Sequence, residues 1–228
     1  MIAVTFECWL FDRHSSKRND MKTNYILKSR NNGIKNFIGL LFLITVFSGS
    51  TFAQAQYKLS GSKENIVKVS GSSNVHDWTM VAQNPVCEAS FGALTGDDGV
   101  PKSLGSLSFT VNAKSLKSEH ESMDNRTYKT IKADAYPQIT FKLSDATIAP
   151  LQKNKFSVKA TGTLTIAGVS RVITIQANGE VKPDNSITVT GQEKLKLTDF
   201  NIQPPSFMLG AMKVANDLTI GYTLNFKK

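Results

Sequence analysis

The sequence predicts an all-β fold, an eight-stranded antiparallel barrel with a short helical insert. Three observations predict it: a hydropathy period of two, short turn-forming breakers between the alternating segments, and small residues on the apolar faces. A period of two sends alternate side chains to opposite faces of a strand. Short breakers between consecutive strands make sequence neighbours antiparallel. About eight strands with one apolar face each must close on themselves or stack as two layers. Ala89, Ala93, Gly105, Ala113, Ala160, Gly162, Ala177 and Gly191 favour closure, because small inward residues leave room inside an eight-stranded barrel for one ligand. Relief of crowding where strands bend is the other use of such residues.

Taken in order, residues 66–69, 75–82 and 87–94 are the first, weaker strands, broken by Asn84-Pro85 and Gly96-Asp97-Asp98-Gly99. Gly105, Leu107, Phe109, Val111 and Ala113 then share one face. Residues 114–133 depart from the pattern: they are polar, and Met123, Thr127, Tyr128 and Ile131 recur at helical spacing, which predicts a short amphipathic helix. Asp134-Ala-Tyr-Pro137 ends it, since the residue before proline disfavours the α region. Ile139, Phe141 and Leu143 resume the alternation, up to a breaker at Ala149-Pro150. Phe156, Val158, Ala160, Gly162, Leu164 and Ile166 form the inner face of the next strand, before Ala167-Gly168. Residues 172–181 and 187–197 flank Lys182-Pro-Asp-Asn185, and Leu218, Ile220, Tyr222, Leu224 and Phe226 close the series. Gly61-Ser62 and Gly71-Ser72 are expected in loops before strands.

Ahead of this domain stands a leader. Met21 opens a basic stretch with Lys22, Lys28, Arg30 and Lys35, followed by an apolar run from Phe37 to Phe47 and then Ala53-Gln54-Ala55. A run of about 11 residues is too short to span a bilayer core of about 30 Å as a helix, and Ala-x-Ala suits signal peptidase. The expectation is a signal-peptide region over 1–55, translation starting at Met21, cleavage near Ala55 before Gln56, and a mature domain over 56–228. The product would be periplasmic or secreted, without stable membrane insertion.

The formal charge of +9 falls once the leader is set aside, because 20 Lys and Arg stand against 15 Asp and Glu from Gln56 onward. Those lysines are spaced singly along strands, the pattern of a solvated surface and not of a nucleic-acid patch. Cys8 lies in the leader, so Cys87 has no partner for an internal disulfide and is expected buried as a small apolar residue. His120 sits in Glu119-His120-Glu121, whose adjacent residues would not share a helix face. With two histidines and one cysteine in the mature chain, neither a metal site nor a cofactor is expected, and no phosphate loop or nucleophile elbow gives a reason to propose catalysis.

The order of motifs resembles the YceI-like proteins, the lipid- or polyisoprenoid-binding, lipocalin-like family. The residues that carry it are Ser73-Asn-Val-His-Asp-Trp78, Ser115-Leu116, Met123-Asp124, Tyr136-Pro-Gln-Ile-Thr-Phe141, Gly162-Thr-Leu-Thr-Ile-Ala-Gly-Val169 and Leu197-Thr-Asp-Phe-Asn-Ile-Gln-Pro-Pro205, with Gly210 and Lys213-Val214 beyond. The resemblance covers nearly the whole mature chain and implies a lipocalin-like barrel holding an elongated isoprenoid or similar lipid inside, with the helix near one end.

On that footing Phe109, Phe141, Phe156, Leu164, Ile220 and Tyr222 are the candidates for the apolar wall, with Trp78, Met123 and Met208 nearer the ends. His76, Trp78 and Met80 would share one strand face while Asp77 points away, so His76 orients ligand or structure instead of pairing with Asp77 as a base. The indole N–H of Trp78 needs a partner. Residues 203–210, apolar but proline-broken, cannot form a regular strand and would fold over the barrel mouth or plug it. The expected partner is an apolar lipid or isoprenoid; no nucleic acid is expected, and a homodimer is left open. A filled barrel acting through its surface in a structural or stress-related role, and an enzyme using His76 on an apolar substrate, are the alternative readings.

Overall fold

A computed structural model of the chain describes residues 54–61, 65–95 and 97–228. The leader expected over 1–55 lies outside them except for Gln54 and Ala55. Strand β1 (Ala55–Leu59) begins one residue before the expected start of the domain. The strands that follow are β2 (Ile66–Ser73), β3 (Asp77–Ala82), β4 (Val86–Phe91), a two-residue ribbon of β5 (Leu94–Thr95) with β6 (Val100–Pro101), β7 (Leu104–Asn112) and β8 (Leu116–Lys117). Beyond helix α1 (Glu121–Thr130) come β9 (Gln138–Gln152), β10 (Lys155–Ile166), β11 (Val169–Val181), β12 (Ile187–Lys196), β13 (Ser206–Phe207) and β14 (Met212–Lys227).

Three pairs of short strands each act as one interrupted stave. β1 and β2 both pair with β14, β3 and β4 pair with β2 and β1, and β8 and β7 pair with β3 and β4. With β9, β10, β11, β12 and β14 this makes eight staves, each hydrogen-bonded to its sequence neighbour. β14 pairs with β12 along one edge, Phe226 opposite Ile187 through Asp217 opposite Lys196, and with β1 and β2 along the other, Phe226 opposite Leu59 and Tyr222 opposite Val67. The barrel is therefore closed, which removes the free edges of an open sheet. Register shifts in the β9–β10, β4–β7 and β2–β14 ladders supply the local bends that closure requires.

The antiparallel order places the Ser73–His76 turn, helix α1, the Ala167-Gly168 turn and the 197–211 connection at one end. The 92–103 connection, the Lys153-Asn154 turn and the 182–186 turn lie at the other. Ala167 and Gly168 have φ of 50° and 78°, the paired left-handed conformation of a two-residue hairpin turn.

The structure corrects three local expectations. β9 runs through Ala149-Pro150 to Gln152, and Pro150 is exposed beside a register shift, where a strand tolerates the missing donor. Gly71-Ser72 lies inside β2, opposite Trp78 and Asp77. The helix covers only Glu121–Thr130 of the 114–133 insert, because Ala113–Ser115 forms a 3-10 turn and Leu116–Lys117 still pairs with β3.

Glycines recur opposite aromatic residues: Gly71 faces Trp78, Gly179 faces Phe156 and Gly191 faces Tyr222. A Cβ at any of the three would overlap the ring, which lies over the glycine where a side chain would otherwise stand. Gly179→Val is accordingly expected to cost about 1–3 kcal/mol through overpacking. Gly221→Val, where a Cβ meets nothing within 4 Å, is expected to cost less; urea denaturation of the two variants side by side checks this.

Candidate functional site

The barrel encloses a cavity of about 420 Å³, within the range of roughly 300–1,000 Å³ usual for small-molecule sites. Its floor lies at the end away from the helix. There Tyr57, Phe91 and Phe226 meet edge to face, with ring centroids 5.4 and 5.8 Å apart, and Phe156 and Ile187 are fully buried beside them. Such pairs add about 0.5–1.5 kcal/mol beyond the area they bury. The wall above is made by the inward phase of the staves, including Val69, Phe109, Ile173, Ile175, Leu218 and Ile220. These six are only partly buried although they face inward, since the space in front of them is not filled by protein. Cys87 lines the same space, and burial, helped by the adjacent Glu88, pushes its thiol up to about 12.

The other end is the mouth. Ser73 Oγ accepts hydrogen bonds from the backbone N–H groups of Val75 (3.2 Å) and His76 (3.1 Å) and donates to the His76 carbonyl (2.8 Å), which folds the tight turn that carries His76. His76 is exposed at the rim, and its Nδ1 donates to the Asp77 carbonyl oxygen, 3.0 Å away. Asp77 opposes Ser72 and is exposed, so the two side chains do not form an acid–base pair. Trp78 lies over Gly71, with Nε1 donating to the Ser72 carbonyl at 3.3 Å.

Helix α1 spans part of this mouth and is held by a buried carboxylate. Asp124 accepts from the Ser118 N–H (2.7 Å) and Oγ (2.8 Å), with Lys117 Nζ at 3.5 Å, while Tyr128 Oη donates to the Leu116 carbonyl (2.8 Å). Burial alone would raise the Asp124 pKa; the Ser118 donors and Lys117 outweigh it and hold the carboxyl below its ordinary value. Thus anchored, the helix turns Met123, Arg126 and Thr127 to the cavity, with Ile131 lining it just past the helix end and Thr127 Oγ1 donating to Met80 Sδ at 3.4 Å. From the opposite side comes the proline-broken segment. Its Ser206 and Phe207 form β13 against Lys213 and Met212, Pro205 and Phe207 line the cavity, and Arg126 lies over the Phe207 ring, 4.8 Å from its centroid. This cation–π contact joins the two flanks of the mouth.

Of the residues nominated from the sequence, His76, Trp78, Phe109, Met123, Phe141, Leu164, Ile220 and Tyr222 all line the cavity. Two do not. Phe156 is 0% exposed: it faces inward, but its ring lies over Gly179, opposite it on β11, and is packed into the floor. Met208 is 74% exposed and Leu209 fully so, because both residues are left-handed (φ 54° and 56°) and the chain turns their side chains outward just after Phe207. Of the small residues, Ala160 and Ala177 line the cavity, whereas Ala93 is exposed in the connection after β4 and Gly105 packs against Gln54. Sequence reasoning missed Glu193, which the alternation could have found: it shares the inward phase of β12 with Ile187, Val189, Gly191 and Leu195. Arg126 and Phe207, in contrast, meet only through the tertiary fold.

A closed eight-stranded barrel with a helix at one end and an apolar cavity inside is a lipocalin-like barrel. The model of the YceI-like domain matches residues 57–226, and the chain belongs to that family. It is 25% identical over 177 residues to Protein YceI of Shigella flexneri, covering 74% of this chain and 87% of that one. Protein YceI of Salmonella agona is 24% identical over 176 residues, with the same coverage. Among solved structures the fold is shared with BcnA of Burkholderia cenocepacia, with a TM-score of 0.56, 22% identity, and 73% of this chain and 98% of that one covered. It is also shared with a polyisoprenoid binding domain from Saccharophagus degradans, at TM-score 0.56 and 14% identity, over 75% and 97% of the two chains.

The Asp124 anchor has a pH consequence. A carboxyl whose folded pKa is depressed stabilises the fold above its unfolded pKa of about 3.9, and loses that contribution as pH falls through the lowered value. Asp124→Ala is expected to cost about 1–3 kcal/mol near neutral pH, since it leaves the Ser118 N–H without its acceptor. The gap to the unsubstituted protein should narrow below about pH 4, as thermal unfolding over a pH series would reveal; a gap independent of pH would contradict the anchor.

Proposed function

We propose that the protein is an exported carrier that holds an apolar, isoprenoid-like lipid inside the barrel by burial alone, without covalent chemistry. The observation that carries this reading is the cavity of about 420 Å³, walled by apolar side chains and reaching the surface beside helix α1. A filled barrel acting only through its outer surface has no use for such a space. Each CH₂ group taken out of water contributes roughly 0.8 kcal/mol, so a dozen buried carbons supply about 10 kcal/mol to set against the entropic cost of association. The isoprenoid class is supported by the description of the Saccharophagus degradans neighbour as a polyisoprenoid binding domain.

Ligand enters beside helix α1, where the Arg126–Phe207 contact bridges the mouth. His76, Trp78 and Met123 line the entrance, while Phe109, Phe141, Leu164, Ile220 and Tyr222 form the wall. Export follows from the leader, with cleavage before Gln56. Intact-mass measurement on fractionated cells should find a chain beginning at Gln56 in the periplasm or medium; a protein confined to the cytoplasm with its leader still attached would count against export.

Filling the cavity tests the carrier reading directly. Ile175→Trp, at a position that faces the open space, is expected to lower affinity for a C15 or longer isoprenoid at least about tenfold while the variant stays folded, the cost of displacing several buried CH₂ groups. Native mass spectrometry and lipid titration check it, and an Ile175→Trp barrel that binds as the parent does would sink the interior site.

A further inference from the structure

The wall is apolar at almost every inward position, with two adjacent exceptions below the rim: Tyr222 on β14 and Glu193 on β12. The other charged or hydroxyl-bearing residues that line the cavity stand at the mouth, on helix α1 and the residue before it, on the Ser73–His76 turn, or at Lys196. Tyr222 opposes Gly191 and Glu193 opposes Ile220, so the two are diagonal neighbours on the inner face, a spacing of about 7–8 Å between Cα atoms that long side chains reach across. Gly191 lets the Tyr222 ring lie against the wall instead of standing across the lumen.

Tyr222 Oη is buried and, among the described residues, has no hydrogen-bond partner. A buried hydroxyl left unpaired is costly and calls for an explanation in the molecule's function. Burial, and then the charge of Glu193, push the phenol up to about 12, so it keeps its proton and is a donor. Glu193 is raised by burial against the opposing hydrogen bond from the Lys194 backbone. Below the rim, then, a donor and an acceptor stand on diagonal positions of neighbouring strands.

A group that satisfies both must accept and donate at once, which a hydroxyl does. A hydrocarbon satisfies neither. An anion would place its charge beside the Glu193 carboxylate and be repelled. We propose that Tyr222 and Glu193 form a polar notch that selects a neutral apolar ligand bearing a hydroxyl, an alcohol or a phenol. Tyr222 Oη–H donates to the hydroxyl oxygen, and the hydroxyl donates to the Glu193 carboxylate. The head of the ligand therefore lies inside the barrel, below the rim, and does not remain in water beside Lys196. This rests on the interior being the ligand site.

The test uses protein stripped of co-purified lipid and three probes of one length: farnesol, the C15 hydrocarbon of the same skeleton, and farnesyl phosphate. Farnesol should bind about tenfold more tightly than the hydrocarbon, the worth of one to two buried hydrogen bonds, and more tightly than the phosphate. Tyr222→Phe and Glu193→Gln should each erase most of that preference, bringing the alcohol-to-hydrocarbon affinity ratio to within about twofold of unity, while an unchanged circular-dichroism spectrum of each variant reports that the barrel is intact. Glu193→Gln should in addition improve binding of the phosphate. An alcohol-to-hydrocarbon ratio unchanged in both variants would overturn the notch while leaving the carrier reading standing. So would a phosphate that binds best and is lost in Lys196→Ala, because the head would then be held at the rim. Failure of the parent protein to bind any of the three would overturn the carrier reading and the notch together.

Discussion

Closure through β14 is the constraint on which the rest depends. Its two edges are both paired, to β12 on one side and to β1 and β2 on the other, so the inward phase of every stave faces one enclosed volume. An open sheet with the same alternation would have to bury its apolar face against a second layer. Here the second layer is the opposite side of the same sheet, and whether the space between is filled depends on where the rings lie. At Gly71, Gly179 and Gly191 the missing Cβ lets the ring of the facing residue lie along the wall. Small residues thus make room indirectly, by giving large neighbours somewhere to lie.

The two ends of the barrel answer to different demands. The floor is apolar: Tyr57, Phe91 and Phe226 meet ring to ring and Phe156 is fully buried, while Phe91 and Phe226 still face the cavity from below. The mouth is built from polar contacts, namely the Ser73 turn, the Asp124–Ser118 anchor and Arg126 over Phe207. Polar contacts near water contribute modestly to stability because water competes for the same groups. The helix end is the end at which the cavity reaches the surface.

Much of this was legible in the sequence, and the successes and misses have physical reasons. Period-two alternation in 105–113, 156–166 and 218–226 identified strands and inner faces, because the in-or-out sense of a strand residue is a local property of the pleat. Trp78, Phe109, Phe141, Leu164, Ile220 and Tyr222 line the cavity for that reason, whereas Met123 does so from the helix and His76 from the turn before β3. Alternation says nothing of height along the barrel axis, which depends on register and stagger between strands distant in sequence. Phe156 and Phe141 look alike in sequence, yet one is packed into the floor and the other faces the cavity. Met208 was nominated from its place in an apolar loop, and two successive left-handed residues reversed its direction.

By itself, then, the chain determined that it would be an antiparallel β structure with a short helix, which side chains turn inward, and, through the order of its motifs, its family. The tertiary structure alone decided which inward residues meet empty space, that Arg126 reaches Phe207, and that Glu193 stands diagonal to a Tyr222 hydroxyl with no partner among the described residues. The division has one cause: the direction of a side chain is set within a few residues, whereas its neighbours across a barrel are set by registers that only closure establishes.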